Sequence, residues 1–575
     1  MDVEQMEVRE GVEAEEGATG VDPLSGPPNG RLRVGRWFLL VIPLLVFTWA
    51  GELGLDFGRH WDEGHRIVDL STAARDRTLL PAAYNYPSMC FNLGMVALLP
   101  DLIETQALGS ATVEYREAIA HAAQSHEFML QLRRHYVVLT AFALIWVFAS
   151  MLALGRRPLE ALFAACLLMG SFELSYHSRW AAPDAIMMQF VALTVMALIQ
   201  GQRKPAEFRW LILAAVGAGL AGGTKYLGAL LTVPLLLLVL FRRPQLKPLL
   251  IVAGTCLATF LLTTPGALIQ PWNFFEDLAY ERAHYQGGHD GFTVEAGFTH
   301  FSMIVRYLFV DAPSVYPRIS MAFVGLGLLG IIALWRESKQ LACLILILPV
   351  IYVVFLSQQS VMFVRNLLLL LPFAAILSAR GLGVLLDIFK HPVLRVIVAG
   401  AAFGSVGVNA MAVLDAGRAV HDFDEDAQFG EVYRYLEAHP ELNFQLSRTV
   451  NARINKIVGK ELENAHKSDT EAEYVVVMRA EILERMYWPS NDPELYVRVF
   501  GPPSANYAYY STWPQKIIVV LEREKARELA SIFPPPGIEK LFPEMQASEK
   551  AHEVEGLRKA KKDAKDARKV LEAQD

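Results

Sequence analysis

Two adjacent carboxylates, Asp62 and Glu63, follow shortly after the first apolar run of the chain, at 34–53, and are bracketed by His60 and His65. A carboxylate within hydrogen-bond reach of a hydroxyl acts as a general base, taking the proton while the oxygen attacks an electrophile. Side chains of neighbouring residues point in different directions, so one of the two faces a substrate and the other orients a loop. Like charge and partial desolvation at a membrane surface make such a pair a stronger proton acceptor.

Three cations, Arg179, Lys225 and Arg365, stand at ends of apolar runs, where an unpaired charge costs several kcal/mol, roughly 3 or more. Convergence on one anionic group explains all three; snorkelling to lipid headgroups explains each singly. Arginine offers a bidentate fork to phosphate and lysine a point charge, which favours Arg179 or Arg365 for direct contact. Asp184 has a carboxylate too short to snorkel far, so it either pairs with Arg179 or Lys225 or works near a substrate. His284 and His289 flank Gly287 and Gly288, a turn signal, beside Glu281 and Asp290. They read as a polar loop, a substrate-binding loop or a metal pair. Tyr84 and Tyr86 have the chemistry to bond a phosphate or sugar, and equally suit an interfacial aromatic belt.

The elements that must position these residues are membrane helices. The chain has 575 residues, 53% of them hydrophobic. Apolar stretches run over 34–53, 136–154, 159–176, 185–200, 210–223, 226–241, 249–262, 319–335, 341–356, 367–386 and 394–414, which predicts about eleven transmembrane helices. Basic residues at 31–36, 156–157, 203–209, 242–247, 336–339 and 380–395 fall on alternate connections, which places those connections and the N-terminus in the cytoplasm. The long loops at 52–134 and 265–318 and the C-terminal region then face outward. Residues 1–30 read as a disordered acidic cytoplasmic tail, 31–415 as the transmembrane module, 416–546 as a small extracytoplasmic α/β domain, and 547–575 as a charged helical tail. In that α/β domain, 429–438 and 480–486 are amphipathic, and 474–478, 495–500 and 516–521 are strand-like.

A resemblance emerges from the motifs in order. An acidic pair after the first membrane helix precedes Tyr84-Asn85-Tyr86-Pro87-Ser88. Ser178-Arg179-Trp180-Ala181-Ala182-Pro183-Asp184 follows, then Gly222-Gly223-Thr224-Lys225-Tyr226, Thr264-Pro265, His284 to His289, and Arg365-Asn366 ahead of Leu371-Pro372. Over 31–414 the chain resembles the GT-C glycosyltransferases, in the branch of protein O-mannosyltransferases and aminoarabinose transferases. The resemblance implies a polytopic α-helical GT-C fold and an inverting transferase that moves a sugar from a polyprenyl-phosphate donor to a protein, lipid or glycan acceptor. It implies Asp62 as the base, with Glu63 orienting the loop or the sugar, a second acidic residue at Asp184, and cations on the lipid phosphate. No cofactor is implied, and a divalent metal is not required. The loop at 265–318 cannot hold the large soluble insert of the eukaryotic enzymes, which points to a bacterial plasma membrane.

Other classes fare less well. Lys and Arg are dispersed in juxtamembrane clusters and no basic face for nucleic acid forms. Cys90, Cys166, Cys256 and Cys343 lie in apolar surroundings without C-x-x-C spacing, which disfavours disulfides and zinc knuckles. The run after Arg36 could pass for a signal peptide ending near Thr48 and Ala50, but the preceding tail is long for one. A transporter or flippase places charge at the midplane in repeated halves, and no repeat is evident. A non-catalytic envelope scaffold remains as the third reading.

Overall fold

The computed structural model describes residues 35–57, 61–107, 113–242, 245–289, 292–421, 424–459, 465–466, 471–478, 481–482, 496–501, 517–532, 538, 541–543 and 545. The tails expected at 1–30 and 547–575, and His60 and Asp290, lie outside the described residues. The chain divides into two groups, Met1–Leu39 and Leu40–Asp575. The elements below belong to the second.

The helices that matter are α1 (Val41–Glu52), α2 (Trp61–Asp76), α3 (His126–Ala153), α4 (Pro158–Met169), α5 (Phe172–Ser178), α6 (Pro183–Arg203), α7 (Arg209–Thr224), α8 (Thr232–Arg242), α9 (Leu246–Thr263), α10 (Pro271–Gly287), α11 (Pro317–Glu337), α12 (Lys339–Ser357), α13 (Leu371–Ile388) and α14 (Pro392–His421). Among the described residues seven helices are long and apolar enough to cross a membrane. An eighth span is formed if α4 and α5, which meet at 59°, count as one. The other three of the eleven expected stretches, at 34–53, 210–223 and 226–241, are helical but short or opened by 3₁₀ turns. This is a multi-pass membrane protein.

Local chemistry sets the ends of these helices. Ser125 caps α3 by accepting from the Phe128 N–H at 3.0 Å. Pro183 opens α6 at the position where its missing N–H costs nothing, and Asp184 follows in the first turn, where the helix dipole favours a carboxylate. α6 is buried along almost its whole length and packs against α3, α7 and a 3₁₀ segment, Val364–Leu370, that leads into α13. It is the axis of the bundle. Where α11 crosses α13 the backbones nearly touch: a Cβ on Gly381 would stand 1.8 Å from the Leu326 carbonyl oxygen, and one on Gly330 1.9 Å from that of Leu377.

Beyond α14 lies a five-stranded sheet in the order β2-β1-β3-β5-β4, with β1 Phe444–Leu446, β2 Ala465–His466, β3 Tyr474–Met478, β4 Arg498–Phe500 and β5 Ile518–Glu522. β1 pairs in parallel with β2 and β3, while β5 runs antiparallel to β3 and β4. Helices Glu425–Ala438 and Arg448–Val458 cover one face through Phe429, Val432, Val450 and Ile454; Arg523–Ile532 covers the other through Ala526 and Leu529. Buried β3 and β5 explain their apolar runs.

Candidate active site

The first turn of α2 sends its two carboxylates to different partners. Glu63 is 1% exposed and meets Arg133 of α3, itself 0% exposed, in a bidentate pair: Nε donates to Oε1 at 2.9 Å and Nη2 to Oε2 at 2.6 Å. The Ala181 N–H donates to the same Oε1 at 3.0 Å, and Arg133 Nη1 donates to the Leu55 carbonyl at 2.7 Å. Phe57 lies against the guanidinium, 3.9 Å from ring centre to Cζ. Glu63 therefore ties α2 to α3 and to the segment before α6, and every strong contact of the pair is internal.

Asp62 keeps a 17% exposed side chain and pairs with Arg365, Oδ2 to Nη2 at 3.0 Å. The adjacent carboxylates thus sit in two separate ion pairs, and the like-charge interaction expected from adjacency gives way to pairing with two arginines. Arg365 Nε reaches Asp184 Oδ2 at 3.6 Å, and Lys225 Nζ donates to Asp184 Oδ1 at 2.7 Å and to Asn366 Oδ1 at 2.5 Å. Asn366 Nδ2 donates to the Tyr285 hydroxyl at 3.2 Å, and the Tyr352 hydroxyl donates to the Asn366 carbonyl at 2.7 Å. Charges alternate along Asp62, Arg365, Asp184 and Lys225, which lets a mostly buried cluster persist. Trp180 and Phe363 flank the Arg365 guanidinium at 5.5 and 4.3 Å.

Of the residues singled out from sequence, Asp62, Asp184, Lys225 and Arg365 come together, and Asp184 takes the Lys225 partner allowed for it. Tyr86 joins them, with Lys225 5.6 Å and Arg66 4.8 Å from its ring centre. Tyr84 is a clasp: its N–H donates to Asp277 Oδ2 at 2.7 Å, its hydroxyl to Gln270 Oε1 at 2.8 Å, and its carbonyl accepts from the Tyr226 hydroxyl at 2.6 Å. Arg179 stands apart at the end of α5, 4% exposed, with Nη2 bonded to Ser175 Oγ at 3.2 Å and close to Gly417 of α14. The three expected cations do not converge; two of them do.

His284 lies in the last turn of α10, and Gly288, at φ +106°, reverses the chain so that His289 stacks on it, ring centres 4.9 Å apart and Nδ1 to Nε2 at 3.0 Å. His289 also meets Phe363 edge-on at 5.1 Å, so the histidine pair supports the ring beneath Arg365. Among the described residues no three His, Cys, Asp or Glu side chains group to hold a metal ion. Sequence reasoning missed Arg133, Tyr285 and Trp180. Arg133 carried a signal, a charge just inside a long apolar helix, whereas Tyr285 and Trp180 are aromatic residues like many others in the chain.

Residues 112–267 match the family model of the dolichyl-phosphate-mannose-protein mannosyltransferases. The chain is similar to the GT-C glycosyltransferases. The matched segment takes in Arg133, Arg179, Asp184 and Lys225; Asp62 and Arg365, which pair with each other, lie outside it. No curated protein sequence matches. Among solved structures, ArnT from Cupriavidus metallidurans bound to undecaprenyl phosphate aligns at 12% identity with a TM-score of 0.48, over 86% of this chain and 98% of that one. The archaeal oligosaccharyltransferase AglB from Archaeoglobus fulgidus, in complex with an inhibitory peptide and a dolichol-phosphate, aligns at 12% identity with a TM-score of 0.42, over 80% of this chain and 73% of that one.

Proposed function

We propose that this protein is an inverting glycosyltransferase that moves a sugar from a polyprenyl-phosphate donor to a hydroxyl-bearing acceptor at the outer face of a bacterial plasma membrane. The observation that carries the reading is Asp62, a partly exposed carboxylate held by Arg365 beside Asp184, Lys225 and Asn366. The donor's phosphodiester is a monoanion that competes for Arg365 and Lys225, and it gains negative charge as the lipid phosphate leaves. When it takes Arg365, Asp62 is released to accept the acceptor's proton. The acceptor oxygen then bonds the anomeric carbon from the face opposite the phosphate, the bond from that carbon to the phosphate oxygen breaks, and the electron pair leaves with the lipid phosphate. Cations already in place stabilise that developing charge without reorganisation.

A groove for the isoprenoid supports the same reading. An apolar cavity of about 330 Å³ is lined by Gly219 and Gly222 of α7, Ala229, Leu235 of α8, and Cys256 and Phe260 of α9. Gly222 precedes Lys225 by three residues, so the cavity and the cation stand at the same end of α7. The acceptor's class, whether protein, lipid or glycan, is fixed by loops and not by this core.

Purified protein in nanodiscs, offered labelled polyprenyl-phosphate sugars, tests the proposal. Transfer or slow donor hydrolysis is expected with at least one donor. Arg365→Ala is expected to weaken donor binding by about 1.5–3 kcal/mol, the value of a charge-assisted contact. Donor affinity that is unchanged in Arg365→Ala and in Lys225→Ala would remove both from the phosphate site.

A further inference from the structure

The end of the bundle away from Asp62 contains a second buried polar cluster that the transfer chemistry does not use. Arg380, assigned from sequence to a connecting segment, lies inside α13, more than about 20 Å along the chain axis from Arg365. It is 8% exposed. Glu337, at the end of α11, accepts from Arg380 Nη2 with one oxygen and from Arg156 Nη2 with the other. Glu160, in the first turn of α4, is folded against Gly383, where a Cβ would stand 2.4 Å from its Oε2. Arg157 pairs with Asp387 at the rim.

This arrangement leaves buried hydrogen-bonding atoms over. Arg380 Nε and Nη1, Arg156 Nε and Glu160 Oε2 are all out of solvent and have no partner within the protein. Each such atom costs free energy unless something outside the chain satisfies it. The unmet demand is three N–H donors, which suit a phosphate, and one carboxylate oxygen, which suits an N–H donor. Large apolar side chains neighbour the cluster in sequence and are exposed: Leu159, Trp335 and Ile388. On membrane helices such a rim faces lipid, and a tryptophan there marks the headgroup level. Basic pockets between membrane helices are known to take lipid headgroups.

We propose that Arg156, Arg380 and Glu160 form a binding site for the headgroup of a phospholipid carrying a primary ammonium, the phosphate on the arginines and the ammonium on Glu160. A trimethylated headgroup has no N–H for Glu160, and a glycerol headgroup has no positive charge. The site therefore selects a primary-ammonium headgroup such as ethanolamine over choline and glycerol.

Native mass spectrometry of the detergent-solubilised full chain tests this with short-chain phosphatidylethanolamine, phosphatidylcholine, phosphatidylglycerol and inorganic phosphate. Wild type is expected to retain one phosphatidylethanolamine at least tenfold more tightly than the other two lipids. Arg380→Gln is expected to lose retention, with Arg380→Lys as the charge-preserving control. Glu160→Gln is expected to fold and bind lipid but to lose the ethanolamine preference, so it decides the matter if Arg380→Gln fails to fold. Equal retention of the three lipids by wild type, retention undiminished in Arg380→Gln, or a preference kept in Glu160→Gln would each overturn the proposal. Displacement of the lipid by an equal concentration of inorganic phosphate would make it a free-anion site, and no retention would make it a water-filled one.

Discussion

Two neighbouring carboxylates have acquired different environments because consecutive side chains on a helix point about 100° apart. Glu63 is spent on structure. Removing one partner of its fully buried pair with Arg133 leaves an uncompensated charge, so Glu63→Gln or Arg133→Met is expected to destabilise the protein by about 3–5 kcal/mol, read from thermal unfolding in detergent. Replacing both at once is expected to cost less than the two single changes combined, because no charge is then stranded; additive losses would show that the pair is not a unit. Asp62, Glu63, Asp184, Lys225 and Arg365 stand out in the sequence by type and position, and the Asp184–Lys225 pair is one the sequence allowed. The partners of Asp62 and Glu63 were not legible, since Arg365 and Arg133 lie far from them in sequence and only the tertiary fold decides which arginine each carboxylate meets. Arg179 shows the reverse failure: the same residue type at the same kind of helix end was grouped with Lys225 and Arg365, yet the bend between α4 and α5 carries it to α14.

At the scale of elements, the close crossing of α11 and α13 fixes α13, the helix that follows the segment bearing Arg365. Alanine at Gly381 would press on the Leu326 carbonyl, so Gly381→Ala is expected to lower stability by about 1–3 kcal/mol. Gly325→Ala on α11 has open space around its Cβ and is the matched control; equal melting of the two variants would dissolve the argument. A second element-level prediction concerns the π-turn Tyr307–Asp311, between the membrane spans. Burial, reinforced by Glu173 and opposed by Arg306, pushes the Asp311 carboxyl up to about 8. Because the folded carboxyl holds its proton where the unfolded one has lost it, the folded state binds more protons between the ordinary carboxylate range and about pH 8, and stability falls as pH rises through that window. Asp311→Asn is expected to flatten that fall in melting temperature from pH 5 to pH 8; an unchanged slope would assign it to other groups.

For the molecule as a whole, apolar length carried most of the fold: each of the eleven expected stretches is helical, and the strands at Tyr474–Met478 and Ile518–Glu522 sit on the runs that named them. What length could not show is the break of the third stretch at Gly170 and Ser171 or the 3₁₀ openings before α8 and α13, because these depend on how neighbouring helices satisfy freed backbone groups. The strands Phe444–Leu446 and Ala465–His466 were missed for a simpler reason, being too short for alternation to register. The two 3₁₀ segments respectively follow Lys225 and carry Arg365, which is where periodicity says least and chemistry asks most.

The central claim is that Asp62 is the base of a sugar transfer. The measurement that bears on it most directly is single-turnover transfer by wild type and Asp62→Asn in nanodiscs, with donor affinity measured on the same preparations. The account predicts a fall in rate on the order of 10² to 10⁴ with donor binding retained or tightened, since the carboxylate that competes for Arg365 is gone. Equal transfer rates in the two proteins would contradict it.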